Sequence, residues 1–409
     1  MREMDFVKRT VLRLALLAVL MVAVSVMLQP AAAQSGRQVW AYYFGWYTSD
    51  SWNDGRLVDR PAQPYNSTDG GAIARHIDEA RGAGIDAFIM SWFGPKGNNL
   101  THQTFNTLLD LSAQKGFHAA ASVDMQEGGF NANTGEVLES LRYLIGDRVN
   151  HPGYLRYNGK PVIYFWNQGR FSVNEWADMR AQVDPGHNTI WVMEGTSTGY
   201  LSVFDGLYLF NTAWGNNASV SASWMNRTYR AGGSFYTPTV MPGWDESRIE
   251  GRANPTAPQD RAAGGFLQNS WNGAVSSGAD VILIVSWNEY LENSYIEPSQ
   301  VLGTQALDTL RSLIAAWKGG APAPAPAAAA PAGAPTGVTY DPGYNVRLRS
   351  GPSTDSQTIT TLPFDAIVQV IGRNGNGSWV QVNFNGTSGW AAGWLGTING
   401  DLNAVPVTG

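Results

Sequence analysis

Hydrophobic and polar positions along residues 38–292 follow a repeating two-part pattern. Short apolar runs come first, each closing on aromatic or polar residues. They are QVWAYYFGWY (38–47), DAFIMSWFG (86–94), HAAASVDMQEG (118–128), PVIYFWNQG (161–169), TIWVMEGT (189–196), GLYLFNTAW (206–214), SFYTPTVMPGWD (234–245) and DVILIVSWNEY (280–290). Stretches with helical spacing lie between most of them, for instance IARHIDEARGAG (73–84), FNTLLDLSAQKG (105–116), GEVLESLRYLIG (135–146), RAAGGFLQNSWNGAVSSG (261–278) and TQALDTLRSLIAAWKG (304–319). Continuous apolar strands belong to a parallel sheet covered on both faces, and the helices supply its crossovers. Eight such units predict an α/β fold, a (β/α)8 TIM barrel. The fifth connection, 197–205, is too short for a full helix. A doubly wound open sheet is the competing arrangement, but no GxGxxG follows the first strand.

The pattern changes at both ends. Residues 319–337, GGAPAPAPAAAAPAGAPTG, alternate Ala and Pro, which builds no core and behaves as a semi-rigid spacer. Beyond it, residues 338–409 switch to short alternating strands punctuated by NGNG and NGTSG, the turn chemistry of a small all-β domain. At the other end, residues 1–33 join a basic start to LALLAVLMVAVSVML (14–28) and then to small residues at Ala31 and Ala33. That run falls short of the ~20 residues that span a bilayer, so an export signal cleaved before Gln34 is expected, with no membrane attachment afterwards. The large domain then covers 34–318.

Composition narrows the function. The chain has 409 residues and 16 tryptophans, with 44% hydrophobic and 15% charged positions. Removing residues 1–33, with four basic and two acidic side chains, takes the formal charge from −6 to −8. Phosphate backbones need a basic face, so nucleic acid is excluded as a partner. With no cysteine there is no disulfide framework and no thiolate nucleophile. The absence also fits an exported, secreted or cell-surface bacterial protein. His76, His102, His118, His151 and His187 are scattered without metal-ligand spacing, so neither metal nor cofactor is expected.

A TIM barrel puts its chemistry at the carboxyl ends of its strands. Those ends offer Tyr42, Tyr43, Trp46, Trp92, Asp124, Glu127, Trp166, Asn167, Glu194, Trp214, Trp244, Asp245, Trp287 and Asn288. Aromatic faces interleaved with carboxylates and amides suit a sugar, whose C–H faces are apolar and whose rim is hydroxyl. The last strand runs into SWNEYLENSYIEPS (286–299), with Glu289, Glu292 and Glu297 and no Lys or Arg. In an extended strand Glu289 and Glu292 would lie roughly 10 Å apart on opposite faces. A helical turn after Asn288 brings them within about 5–6 Å at Cβ, the kind of pair that glycoside cleavage uses. Glu297, before Pro298, is expected to favour the positive end of the following helix.

SWNEYLENSYIEP resembles the NEWHEGTQIEP-type signature of glycoside hydrolase family 99, the endo-α-mannosidase-like barrels. AYYFGWY resembles the family's opening strand, YNSTD (65–69) the loop after it, HIDEARGAGIDAFIMSWFG (76–94) the second-strand region, and PGWDESRI (242–249) the loop after strand seven. The resemblance covers roughly 38–300. It implies Glu289 as the base that deprotonates the sugar 2-hydroxyl, and Glu292 as the acid that protonates the leaving oxygen. Net retention of configuration on an α-mannoside-type or related polysaccharide or oligosaccharide would follow. Leu291, Asn293 and Tyr295 depart from the signature and alter the walls of the sugar subsites. Residues 344–395, with NVRLRSGPST and GWAAGWL, resemble a bacterial SH3 domain, which implies a cell-wall component as a further partner. The alternative is a non-catalytic glycan- or cell-wall-binding surface protein built on the same barrel.

Overall fold

The computed structural model describes residues 36–408 except 98, 127, 216–218, 253–254, 320–336, 343–345, 363–365 and 385. The export segment, the interior of the Ala/Pro spacer and Glu127 therefore lie outside the described residues.

The barrel strands are β1 Gln38–Phe44, β2 Ala87–Trp92, β3 His118–Asp124, β4 Lys160–Trp166, β5 Ile190–Glu194, β6 Gly206–Tyr208, β7 and β8 Val281–Ile284. Strand β7 comes in two pieces, Phe235–Thr237 and Thr239–Val240. All neighbours are parallel, and the order β1 to β8 closes because the first half of β7 pairs with β6 while the second half pairs with β8. Pro238 separates the halves. Its ring has no N–H to give a ladder, yet its carbonyl still accepts from Leu283 N at 3.0 Å. Every residue of β1, β2 and β8 is buried, as expected for strands covered on both faces.

Seven α-helices are described: α1 Gly70–Gly82, α2 Leu100–Lys115, α3 Thr134–Gly146, α4 Val173–Val183, α5 Ser219–Arg230, α6 Gly265–Ser276 and α7 Gln305–Lys318. Several start on side-chain caps: Asp69 accepts from Gly71 N, Asn99 from His102 N and Asn133 from Glu136 N. The connection from β5 to β6 holds only a 3-10 turn, Thr198–Ser202, as its length predicted. No described helix is long and apolar enough to cross a membrane.

Alternation along β1 sorts its side chains into two layers. Trp40, Tyr42 and Phe44 point into the barrel, where Trp40 meets Tyr164 at 6.2 Å and Tyr164 meets Tyr208 at 4.9 Å between ring centres. Large rings thus fill the barrel interior, and the hydroxyl of Tyr164 is satisfied there by Thr237 at 2.9 Å.

The C-terminal domain is an antiparallel seven-stranded sheet. Its strands are β9 Thr339–Pro342, β10 Val346–Arg349, β11 Thr358–Leu362, β12 Val368–Arg373, β13 Trp379–Phe384, β14 Thr387–Ala392 and β15 Gly396–Asn399. They are ordered β11-β10-β14-β13-β12-β9-β15. Burial alternates residue by residue along β12, so one face packs on a core that includes Tyr340, Leu348, Val380 and Val382.

Candidate active site

The four apolar residues of β8 end at Ile284, and the chain then folds back on itself over 286–297. Ser286 N donates to Ser294 O at 2.7 Å, Trp287 N to Tyr42 O at 2.7 Å, and Glu297 N to Trp287 O at 2.9 Å. The tip is a turn over Tyr290–Asn293 closed by Ser294 N to Glu289 O at 3.2 Å, with Asn293 in the left-handed region at φ 55°. Asn tolerates that conformation better than most residues. Glu289 precedes this turn and Glu292 lies within it, and the charge of Glu292 raises the pKa of Glu289.

The two carboxyls are 6% and 8% exposed, and both are pushed up. Burial is the main cause for Glu289, followed by the charge of Glu292; Leu291 N–H, the Arg252 charge and Tyr47 OH hold it back. Burial also dominates at Glu292, opposed by the Arg252 guanidinium and reinforced by Glu246. Arg252 hydrogen-bonds the Glu292 carboxylate directly and reaches Glu246 Oε2 at 3.1 Å through Nε. Leu291 N donates to Glu289 Oε1 at 3.1 Å, and Ser286 Oγ accepts from Glu289 N at 2.8 Å. Both carboxyls are thus held where burial favours their neutral forms.

A second set of acids sits across the mouth. Asp124, at the end of β3, accepts from Ser91 Oγ, from Ser122 Oγ at 2.9 Å and from Tyr42 OH at 3.4 Å. Burial pushes it up to about 7 against those hydrogen bonds. Glu194 ends β5, and burial pushes it up to about 7 as well, with Phe210 N donating to Oε1 at 3.4 Å. Glu194, Asn167 and Trp214 line a cleft of about 500 Å³. Trp244 and Asp245 line another of about 540 Å³ that reaches the Glu292 turn at Asn293. Asp245 N donates to Glu292 O at 2.9 Å.

Aromatic rings surround this mouth. Trp46 packs on Phe44 at 4.5 Å and stacks on Phe93 at 5.6 Å, Phe93 stacks on Phe130, and Trp166 meets Phe210 at 5.0 Å. Trp244 also contacts Phe210, and its buried indole N–H has no hydrogen-bond partner.

Not every strand-end residue belongs to this site. Tyr43 points away from the barrel interior, its OH 3.1 Å from His76 Nδ1 and its ring on Phe88. Trp92 packs on Phe105 and Tyr143 of α2 and α3, and Trp287 packs on Phe88 and His76. These three are core, because successive strand residues face opposite layers. Asn288 is fully buried and holds β1 to the loop: its Oδ1 accepts from Phe44 N at 2.8 Å and its Nδ2 donates to Phe44 O at 2.9 Å.

Glu297 does not serve a helix terminus, since the next helix starts only at Gln305. It is buried 2.9 Å from His76 Nε2 and accepts from Tyr290 OH at 3.0 Å and Tyr65 OH at 3.2 Å. Tyr65 OH in turn accepts from Asn288 Nδ2 at 3.0 Å, so this network braces the loop from behind. The sequence reading missed Arg252, Glu246, Phe93, Phe130 and Phe210. For the two charged residues the available signal was PGWDESRIEGR, an acid and an arginine six residues apart in the loop after β7.

The profile of glycosyl hydrolase family 99 matches residues 61–311. The chain belongs to this family. Within it, a glycoprotein endo-alpha-1,2-mannosidase-like protein from Mus musculus is 24% identical over 261 residues, covering 57% of this chain and 56% of that protein. Glycoprotein endo-alpha-1,2-mannosidase from Mus musculus is 23% identical over 270 residues, covering 60% and 58%. The chain thus spans little more than half the length of these curated relatives. The solved structure of the GH99 endo-alpha-mannosidase from Bacteroides thetaiotaomicron shares the fold at a TM-score of 0.60 and 22% identity, over 69% of this chain and 98% of that one. Outside the family-99 barrel, a bacterial SH3 domain matches residues 345–397.

Proposed function

We propose that this family-99 chain is an exported, retaining, endo-acting glycoside hydrolase that cleaves α-mannoside-type or related polysaccharide with Glu289 and Glu292. The observation that carries the reading is the buried carboxylate pair on one turn at the end of β8, both members pushed up. Glu289, as carboxylate, takes the proton of the sugar 2-hydroxyl while that oxygen attacks the anomeric carbon. Glu292, as acid, gives its proton to the glycosidic oxygen, which leaves as an alcohol, and a 1,2-anhydro sugar remains. Water then loses a proton to Glu292 and opens the strained ring at the anomeric carbon, and Glu289 returns its proton to O2. Two inversions give retention.

The Arg252 cation favours the charged form of Glu292, but burial outweighs it and leaves the acid form accessible near neutral pH. The aromatic mouth supplies faces for sugar C–H surfaces. Proton NMR of the first products released from α-mannan tests the reading: the α-anomer should appear first. Initial release of the β-anomer, or no hydrolysis of any α-mannoside or α-glucan polymer, would sink it.

A further inference from the structure

The barrel and the C-terminal domain meet at α5. Arg227 donates both to the Asp341 carboxylate and to the Pro342 carbonyl, which open the C-terminal sheet. Its guanidinium lies 5.1 Å over the buried ring of Trp224, so its charge is compensated on one side and covered on the other. Beside this contact is a cavity of about 370 Å³ lined from both domains, by Thr196, Thr198, Trp224 and Arg230 of the barrel and by Trp394 and Asn399 of the module.

Two features of this cavity point to a ligand. Trp394 is 59% exposed, although its ring is held edge-on to Trp379 at 5.2 Å. A large indole fixed in place and left exposed on a cavity wall offers a free face for stacking. The second feature is continuity. Thr196 lines this cavity and also the cleft of about 500 Å³ that holds Glu194 and Trp214 at the strand ends. An extended chain lying in the cleft beside Glu194 and Trp214 would run past Thr196 into the cavity that Trp394 lines.

We propose that the C-terminal module completes the substrate cleft, and that Trp394 is a distal stacking platform for hexose units of the same polysaccharide chain. This rests on the glycoside hydrolase reading for its ligand. The module then acts on chain length rather than on chemistry: it grips polymers and ignores substrates too short to reach it.

The test compares yeast α-mannan with a short α-mannoside oligosaccharide on the full chain. Trp394→Ala should raise KM on the polymer about tenfold with kcat kept, and leave the short substrate unaffected. Arg227→Ala, which loosens the module, should reproduce that polymer-specific change. Equal KM on the polymer, or equal losses on both substrates in a variant with wild-type melting, overturns the platform. Retardation of the Glu289→Gln chain in native gels cast with α-mannan separates this idea from the catalytic one. If the wild-type chain hydrolyses nothing yet retardation is present and lost in Glu289→Gln/Trp394→Ala, the platform stands and the function reading fails. If hydrolysis is present and retardation does not depend on Trp394, the platform fails alone. Neither hydrolysis nor retardation overturns both.

Discussion

The barrel and the C-terminal module treat acids in opposite ways. Barrel strands are buried on both faces, so a carboxyl at a strand end emerges from a dry interior into a narrow mouth. Asp124, Glu194, Glu289 and Glu292 all sit there, and burial is the main cause of the upward shift at each. The module's strands are wet on one face, as the alternating burial of Val368–Arg373 shows. Its buried acid, Asp341, is matched by Arg227 from the barrel. Proton chemistry near neutral pH needs groups that can lose their charge cheaply. A doubly covered parallel sheet makes such positions, and a small antiparallel sheet with one wet face does not.

The sharpest way to break this contrast is at the pair itself. Glu289→Gln and Glu292→Gln should each lower kcat by about 10²–10⁴, the usual size of a general acid or base contribution. Near-full activity of either variant in a polysaccharide assay would return the acids of the contrast to a structural role.

Next in size is the dependence of stability on pH. Asp124 and Glu194 are pushed up to about 7 in the folded barrel, from ordinary values of 3.8 and 4.5. As pH rises from about 4 to 7, the unfolded chain therefore loses these protons while the folded barrel keeps them. The barrel's urea midpoint should fall across that window, and Asp124→Asn/Glu194→Gln should flatten the slope. A midpoint that rises over the same range in the wild type would contradict buried neutral acids at the mouth.

Trp46→Ala should have a smaller effect, raising KM about tenfold with kcat nearly kept, because its ring lies on the aromatic rim and not at the acids. A drop in kcat instead would mean that Trp46 orients the pair. The smallest effect is a shift in a profile. Arg252 holds the Glu292 pKa down, so Arg252→Ala should move it up. Arg252 acts more weakly on Glu289 as well, so both limbs of kcat/KM move to higher pH, the high-pH limb by more if Glu292 is the acid; a larger move of the low-pH limb would make Glu292 the base.

Much of this site could be read before folding was considered. SWNEYLENSYIEP carries the two glutamates and their spacing, and the turn they required is present over Tyr290–Asn293. The aromatic strand ends were visible too, but not which of them face the mouth. Tyr42 and Tyr43 are neighbours of the same type, yet one touches Asp124 and the other His76. Register on the barrel decides between them, and a fully buried strand has no polar face to betray its phase.

The sequence by itself determined the eight strand units, the short fifth connection and the switch to alternating strands in the C-terminal domain. These follow from local periodicity. Only the tertiary structure decided that Glu297 is sealed against His76, Tyr65 and Tyr290 instead of capping a helix. It alone brought Arg252 onto Glu292 across 40 residues of chain, and Arg227 onto Asp341 across 114. The physical reason is common to all three. A charge's partner in a dry interior is chosen by proximity in space, and proximity between distant residues is set by closure of the fold, which no local pattern encodes.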